Sequence, residues 1–493
     1  MMFFTSFRFK ELAMSRWLWV VFLHVSIIAC GGQMNSAKDT QCGNGVLEFD
    51  EVCEQSDLGS ETCESQGFLG GSLGCSLDCQ SLVTADCNAC GNDLLDFGEA
   101  CDGPALNSET CATQGFDAGL LNCKPDCSGF TTSQCIKEGT GWVEIGAGSG
   151  HSCGLWNDGS VWCWGAGEQG QLGDGVEATS KVPVQAKLNA SVQNLGIGWM
   201  HNCVVTEPGI THCWGDGSAG QLGDGFIGLS AAPVLVSLPV GSHRVAAGAA
   251  HSCLLDENDQ VWCWGLNEDG QLGNDSQVDS AEPVIVAGLS SVVDLSAGRD
   301  HNCALLYDGK VECWGSNQHG QLGITVDDLS PTPELVLEMP PADEVHVGDR
   351  FTCALAQGSG EVWCWGRGGE GQLGNGEFQQ SSDRPLKIPN LVSMQSLAVG
   401  RDHACAIDVQ GNVWCWGSNT HGQLADGNPA PASEPIQVLN FDGATSLALG
   451  VAHSCAQRLD GSAWCWGSNE TSQLGVGLDE LQVLTPYRVT DPL

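Results

Sequence analysis

Residues 151–165 read HSCGLWNDGSVWCWG, and variants of this stretch return about every fifty residues to the end of the 493-residue chain. Its WG signature recurs at Trp164, Trp214, Trp264, Trp314, Trp365, Trp416 and Trp466, at intervals of 50 or 51 residues. About six residues after each comes GQLG or a near copy; the sixth copy ends in Ala425 and the seventh opens with Ser472. A proline follows each: Pro183, Pro233, Pro283, Pro333, Pro385, Pro435 and Pro486. A β-rich segment such as VVDL at 292–295 then leads through a glycine to the next His-x-Cys. Each repeat thus holds about four short β-segments separated by Gly- and Pro-marked turns. A period near fifty with four strands is the pattern of a propeller blade.

The two cysteines of the opening stretch are ten residues apart and centred on Asp158, inside Asn157-Asp158-Gly159. A three-residue hairpin loop closing on a left-handed glycine sets them opposite each other on adjacent strands. Opposed Cβ atoms lie about 4.5–5.5 Å apart, which a disulfide can adjust to. The expected pairs are Cys153–Cys163, Cys203–Cys213, Cys253–Cys263, Cys303–Cys313, Cys353–Cys364, Cys405–Cys415 and Cys455–Cys465. The fifth pair is spaced by eleven, and its loop, 357–360, is one residue longer, which keeps the cysteines opposed. Asp259 replaces the loop glycine in the third repeat, and Asp tolerates the left-handed region better than most residues.

Composition agrees with an exported β-protein. Gly is abundant at 67, charged residues make up 16%, and there are 27 cysteines with a single CxxC, Cys87–Cys90, and no cluster of such pairs. So many cysteines without metal-site spacing point to an oxidising compartment. The net charge of −42 repels phosphate backbones and argues against a nucleic-acid partner.

At the N-terminus, Arg8, Lys10 and Arg16 precede an apolar run at 17–29, short for a membrane span and suited to a secretory h-region. Met1 and Met14 are both workable starts. The run ends in Ile27-Ile28-Ala29-Cys30, which resembles the bacterial lipobox. That resemblance implies cleavage before Cys30 and lipidation of its thiol, with a tether at 30–41. Gly31 is not the Asp that would favour inner-membrane retention. The expected location is an outer-membrane or cell-surface lipoprotein, with an ordinary secreted protein as the alternative and the lipid as the sole membrane contact.

Two six-cysteine units follow, 42–87 and 90–135, with identical spacings of 11, 10, 12, 4 and 8. Each has few large apolar residues, so disulfides must replace a core. Six cysteines allow fifteen connectivities. The openings CGNGVLEFDEVCE and CGNDLLDFGEACD resemble the cysteine-rich repeats of myxobacterial surface proteins. A similar string opens disintegrin domains, where Asn and acidic side chains hold calcium. Carried over, the candidate ligands are Asn44, Glu48, Glu51, Glu54, Asn92, Asp96, Glu99 and Asp102. Calcium is the one cofactor implied; the other reading is acidic turns that are simply solvated. Fourteen cysteines in the repeats, twelve in these units and Cys30 account for all 27.

The order His-x-Cys-x-Leu, turn, Val-Trp-x-Trp-Gly, GQLG, Pro resembles the regulator of chromosome condensation repeat. The likeness covers 141–493 in seven copies and implies a seven-bladed β-propeller. The expected fold is therefore all-β: a seven-bladed propeller preceded by a signal peptide at 1–29, the tether and two small disulfide-rich modules. The chain ends on Pro486-Tyr487-Arg488-Val489, and 142–145 supplies the β-segment that would come next. The two ends are accordingly expected to share one blade, leaving no free sheet edge between them.

Other patterns carry less. Histidine precedes the first cysteine of six repeats, at His151, His201, His251, His301, His403 and His453, with Phe351 in the fifth. One position per blade is too dispersed for shared metal ligation, so hydrogen bonding is expected. GxGxxG at Gly165, Gly215 and Gly366 lacks a following helix and is a by-product of the repeat. No catalytic constellation stands out, and a non-enzymatic binding scaffold for an extracellular protein or glycan is expected. Its variable segments are 174–181, 224–231, 274–281, 325–331, 375–383 and 426–433. The family resemblance also brings guanine-nucleotide exchange on a small GTPase, and the role of a secreted enzyme inhibitor such as one of β-lactamase, as rival activities. The even repeat length leaves little room for the exchanger's wedge insertion.

Overall fold

The computed structural model describes residues 141–492 apart from 239–240 and 326–327, together with scattered residues between 47 and 136. The chain divides into two compact units, Met1–Asn88 and Ala89–Leu493. In the first, short strands pair Gly70–Gly71 with Cys87–Asn88 and Gly74–Cys75 with Leu82–Val83, and Cys53 is bonded to Cys75. The second opens with a hairpin of Ala118–Cys123 against Phe130–Ile136, and Cys101 is bonded to Cys123. The second and fourth cysteines of each six-cysteine unit are thus joined in the same way. That reduces fifteen connectivities to three. The apolar core among the described residues here is small, Cys111 and Leu121 with Leu106 and Phe130 against them.

From Trp142 to Arg488 the chain forms seven four-stranded antiparallel meanders. The first strand of each blade is innermost, and the seven first strands follow one another around the axis. The fourth strand is outermost, from Ser180–Gln185 in blade one to Gln482–Arg488 in blade seven. All seven repeat prolines sit in these outer strands, beside a register shift against the third strand. An edge strand can lose an N–H without breaking its sheet, and proline with a bulge blocks edge-to-edge pairing.

The seven cysteine pairs are directly opposed between second and third strands and disulfide-bonded, with Cα–Cα distances of 4.0–4.1 Å. The hairpin before Cys163 turns on Gly159 at φ +85°, and Asp259 takes the same role at φ +59°.

Consecutive blades are joined through GQLG. The Gln carbonyl of each repeat accepts the indole N–H of the WG tryptophan in the next, as in Trp214 Nε1 to Gln171 O at 3.0 Å. The final glycine packs against this contact, and Ala425 takes its place in the sixth copy at φ +51°. A Cβ on Gly173, at φ +70°, would lie 2.7 Å from Trp214 Nε1.

The ring does not close as the sequence suggested. The segment before His-x-Cys begins its own blade: Glu144 is opposite Leu155, and Arg488 is opposite Trp464. No blade is shared by the two ends, so closure comes from packing and hydrogen bonds between blades seven and one. Trp142, Ile145 and Trp164 share a core with Leu474, Val483 and Val489. Trp142 N donates to Gly461 O at 2.9 Å, and Trp164 Nε1 donates to Gln473 O at 2.9 Å.

Candidate partner-binding face

A meander puts its first and third turns at one end of the blade and its second at the other. The turns before His-x-Cys and the segments after GQLG therefore emerge on one face. The residues between WG and GQLG contact those turns directly: Thr471 Oγ1 donates to Gly150 O at 2.7 Å, and Arg367 Nη1 donates to Asp402 Oδ1 at 2.6 Å.

Beneath this face runs a buried histidine belt. Each His Nε2 meets the residue between His and Cys of the next blade: His151 with Asn202 at 2.7 Å, His201 with Ser252 at 2.7 Å, His301 with Thr352 at 2.9 Å. His251 meets Asn302, His403 meets Ser454, and His453 meets Ser152 across the closure. Each partner also donates to the Gln carbonyl of the histidine's own repeat, as Asn202 does to Gln171 O at 2.7 Å. Its oxygen must therefore accept from the histidine, which fixes the Nε2–H tautomer. The Nδ1 atoms are buried without hydrogen-bond partners, and burial pushes these imidazoles down to about 3 or 4. In blade five Phe351 replaces His, and the facing residue of blade six is Ala404; both lie in one apolar cluster. The belt is structural and brings no two histidines to one ion.

Around the axis, backbone hydrogen bonds link the turns in a circle. Ser149 N donates to Trp199 O at 3.0 Å, Asp349 N to Arg401 O at 3.2 Å, and Val451 N returns to Gly148 O at 3.2 Å. The axial cavity they border holds about 80 Å³, well below a small-molecule pocket of about 300 Å³ or more.

The turn side chains are segregated. Blades four to six carry Arg299-Asp300, Asp349-Arg350 and Arg401-Asp402, whereas the other blades carry Ser149-Gly150, Trp199-Met200, Ala249-Ala250 and Val451-Ala452. Asp349, 3% exposed, lies between Arg299 at 3.5 Å and Arg401 at 3.8 Å. The two arginines also reach Asp300 at 3.1 Å and Asp402 at 3.2 Å. Arg299 lies over the Trp199 ring at 5.6 Å. Burial, partly offset by Arg299, pushes the Asp300 carboxyl up to about 6. This cluster was not anticipated from sequence. Its trace was the charged pair at the same offset in three successive repeats.

The variable segments are held by their own side chains. Asp174, Asp224 and Asp426 each accept the N–H two residues on, at 2.9–3.1 Å. Where WG is followed two residues on by Asn, that side chain laces the loop, as Asn267 Nδ2 does to Ser276 O at 3.0 Å. Where Gly stands instead, the loop backbone takes the space. A Cβ on Gly167 would lie 2.0 Å from Ala178 O, which accounts for the GxGxxG strings. On these pinned loops stand exposed apolar side chains: Val176, Phe226, Ile227, Val278, Phe378 and Leu481. Phe226 and Ile227 are 74% and 75% exposed.

The remaining sequence candidates lie elsewhere. Cys30, Asn44, Glu48, Glu51, Glu54, Asn92, Asp96 and Glu99 fall outside the described residues. Asp102 is described: it is buried and bridged to Ala105 through backbone hydrogen bonds of 2.9 and 2.7 Å. Among the described residues no cluster of His, Cys, Asp or Glu could hold a metal, and no helix is long and apolar enough to cross a membrane.

Residues 231–492 match the family model of the RCC1-like domain, and residues 142–171 and 158–205 match models of the regulator of chromosome condensation repeat. The chain is 43% identical over 75 residues to the human probable E3 ubiquitin-protein ligase HERC6, covering 15% of this chain and 7% of the ligase. It is 35% identical over 79 residues to the zebrafish (Danio rerio) RCC2 homologue, covering 15% of each protein. The matches therefore span a small part of those relatives. Among solved structures, yeast RCC1 (Prp20) bound to Kap60 superposes with a TM-score of 0.61 at 22% identity, over 72% of this chain and 86% of that one. Human WBSCR16 superposes with a TM-score of 0.62 at 21% identity, over 68% of this chain and 94% of that one. These two likenesses speak to the fold.

Proposed function

The chain belongs to the RCC1-like domain family, and from that premise we propose that it is an exported scaffold whose loop-bearing face binds a protein partner. The observation that carries this reading is the set of exposed apolar side chains on loops held rigid by hydrogen bonds, with Phe226 and Ile227 foremost. Exposed apolar groups on pre-ordered loops lose little entropy on docking and supply the buried centre of an interface. The disulfides suit an extracytoplasmic site, and Cys30 is the proposed point of lipid attachment. Exchange on an intracellular GTPase is set aside because this reading exports the chain.

The test is a cross-linking pulldown from cell-surface extracts with the lipid-free protein. The wild type should retain a partner that Phe226→Ser/Ile227→Ser loses, while an exposed substitution at the opposite end of the blades, Tyr307→Ser, keeps it. Equal retention by all three proteins would refute this face. Mass spectrometry of the mature N-terminus, with and without Cys30→Ser, tests the anchor separately.

A further inference from the structure

Between blades five and six a groove of about 370 Å³ opens, bordered by Leu391 and Val392 of the connection, Asp408 and Gln410 of the hairpin, half-buried Trp414, and Glu434 of the outer strand. Blade seven carries the same parts fifty residues on, and there the tryptophan ring is covered from within the chain, while an opening of about 400 Å³ beside 437–442 borders neither Arg458 nor Trp464. Arg458 stands in place of Asp408, Asp442 in place of Val392, Phe441 in place of Leu391, and Trp464 in place of Trp414. The Arg458 guanidinium lies 4.9 Å from the Trp464 ring centroid and 4.5 Å from that of Phe441. Its Nη2 donates to Asp442 Oδ1 at 3.0 Å.

Blade six keeps the aromatic floor and lacks the guanidinium. Trp414 is held in place by its indole N–H, which donates to Asp408 Oδ2 at 3.2 Å. Burial acts to raise the Asp408 carboxyl, but hydrogen bonds from Asn412, Trp414 and Gln410 outweigh it and keep the group below the ordinary aspartate range. The second carboxylate, Glu434, is exposed at the rim.

We propose that this groove receives an arginine side chain of a partner protein, stacked on Trp414 with Glu434 at the rim, as Arg458 is stacked on Trp464. The Asp408 oxygens are already taken up by Gln410, Asn412 and Trp414, so the open carboxylate is that of Glu434; an aromatic face with a rim carboxylate matches a planar guanidinium better than a compact ammonium. A chain of net charge −42 also favours a basic partner. The site is separate from the loop-bearing face and does not depend on it.

Calorimetry on the intact, oxidised protein tests the proposal with the peptide acetyl-Gly-Arg-Gly-amide. The arginine peptide should bind, its lysine analogue more weakly, and its neutral citrulline isostere not at all. The double variant Val392→Asp/Asp408→Arg rebuilds the blade-seven arrangement and should weaken peptide binding by about tenfold or more. Should that variant melt lower than the wild type, Glu434→Gln, on an exposed strand position, must still weaken binding by about threefold or more. No heat from the arginine peptide at millimolar concentration, or equal binding of the citrulline peptide, would overturn the proposal. So would a neutral oligosaccharide that binds and is lost in Trp414→Leu while the arginine peptide gives no heat; the groove would then be a glycan site.

Discussion

Blades five and six already contain the substitution that tests the histidine belt. There Phe351 faces Ala404, where the other blades set a histidine against a hydroxyl or amide. Transplanting that pair to the next position gives His403→Phe and Ser454→Ala. Alone, Ser454→Ala leaves the His403 Nε2–H without its 2.9 Å partner in a fully buried site. An unsatisfied buried donor costs about 1–3 kcal/mol. Alone, His403→Phe leaves the Ser454 oxygen without a donor, though its hydroxyl still reaches Gln423 O at 2.8 Å. Together the two changes remove both halves of the bond, so the double variant should be more stable than additivity allows by about 1–2 kcal/mol.

The pair should also change the pH response. Burial holds the His403 pKa at about 3, against 6.5 for the exposed group. The unfolded chain therefore takes up the proton first. The contribution to stability is complete above 6.5 and is lost as pH falls from there toward 3. From pH 7 to pH 5 each such histidine costs about 2 kcal/mol. The double variant should lose about that much less than the wild type over the same interval. Urea unfolding of all four proteins at pH 7 and pH 5 measures both quantities. Additive single effects at pH 7, together with an unchanged pH response, would refute the coupled belt.

Other consequences are more direct. Gly475→Ala places a Cβ 2.6 Å from Trp164 Nε1 at φ +66°, a position that Ala425 holds at φ +51° in the sixth copy; it should cost about 1–2 kcal/mol in urea unfolding, and a neutral effect would contradict the closing contact. Deleting 484–493 removes most of the outermost strand of blade seven and the buried Val489; the melting temperature should fall sharply, and an unchanged melt would rule out closure through blade seven. Cys153→Ala/Cys163→Ala opens a buried hairpin staple; a loss of about 2–3 kcal/mol is expected, whereas no loss would make the disulfide dispensable. Free-thiol counting on the oxidised propeller should find none. Calcium calorimetry on the 41–136 fragment tests the ligand set implied by the cysteine-rich units, and an absence of heat at millimolar calcium would dismiss it.

What the sequence determined by itself was everything local to one repeat. Blade number, strand order and the opposition of Cys153 to Cys163 follow from spacing, because a hairpin's register is set by the length of its turn. The outer-edge position of the prolines has the same origin, since a residue without an N–H fits where no neighbour needs one. Tertiary structure alone decided what passes between repeats. His403 meets Ser454 fifty-one residues away, Arg299 and Arg401 converge on Asp349 from either side, and Arg458 covers Trp464 in blade seven where a groove opens beside Trp414 in blade six. Closure was misjudged for that reason. The segment at 142–147 would continue one repeat or begin the next equally well along the chain. Only the packing of seven blades around an axis sets it opposite Leu155 and against blade seven.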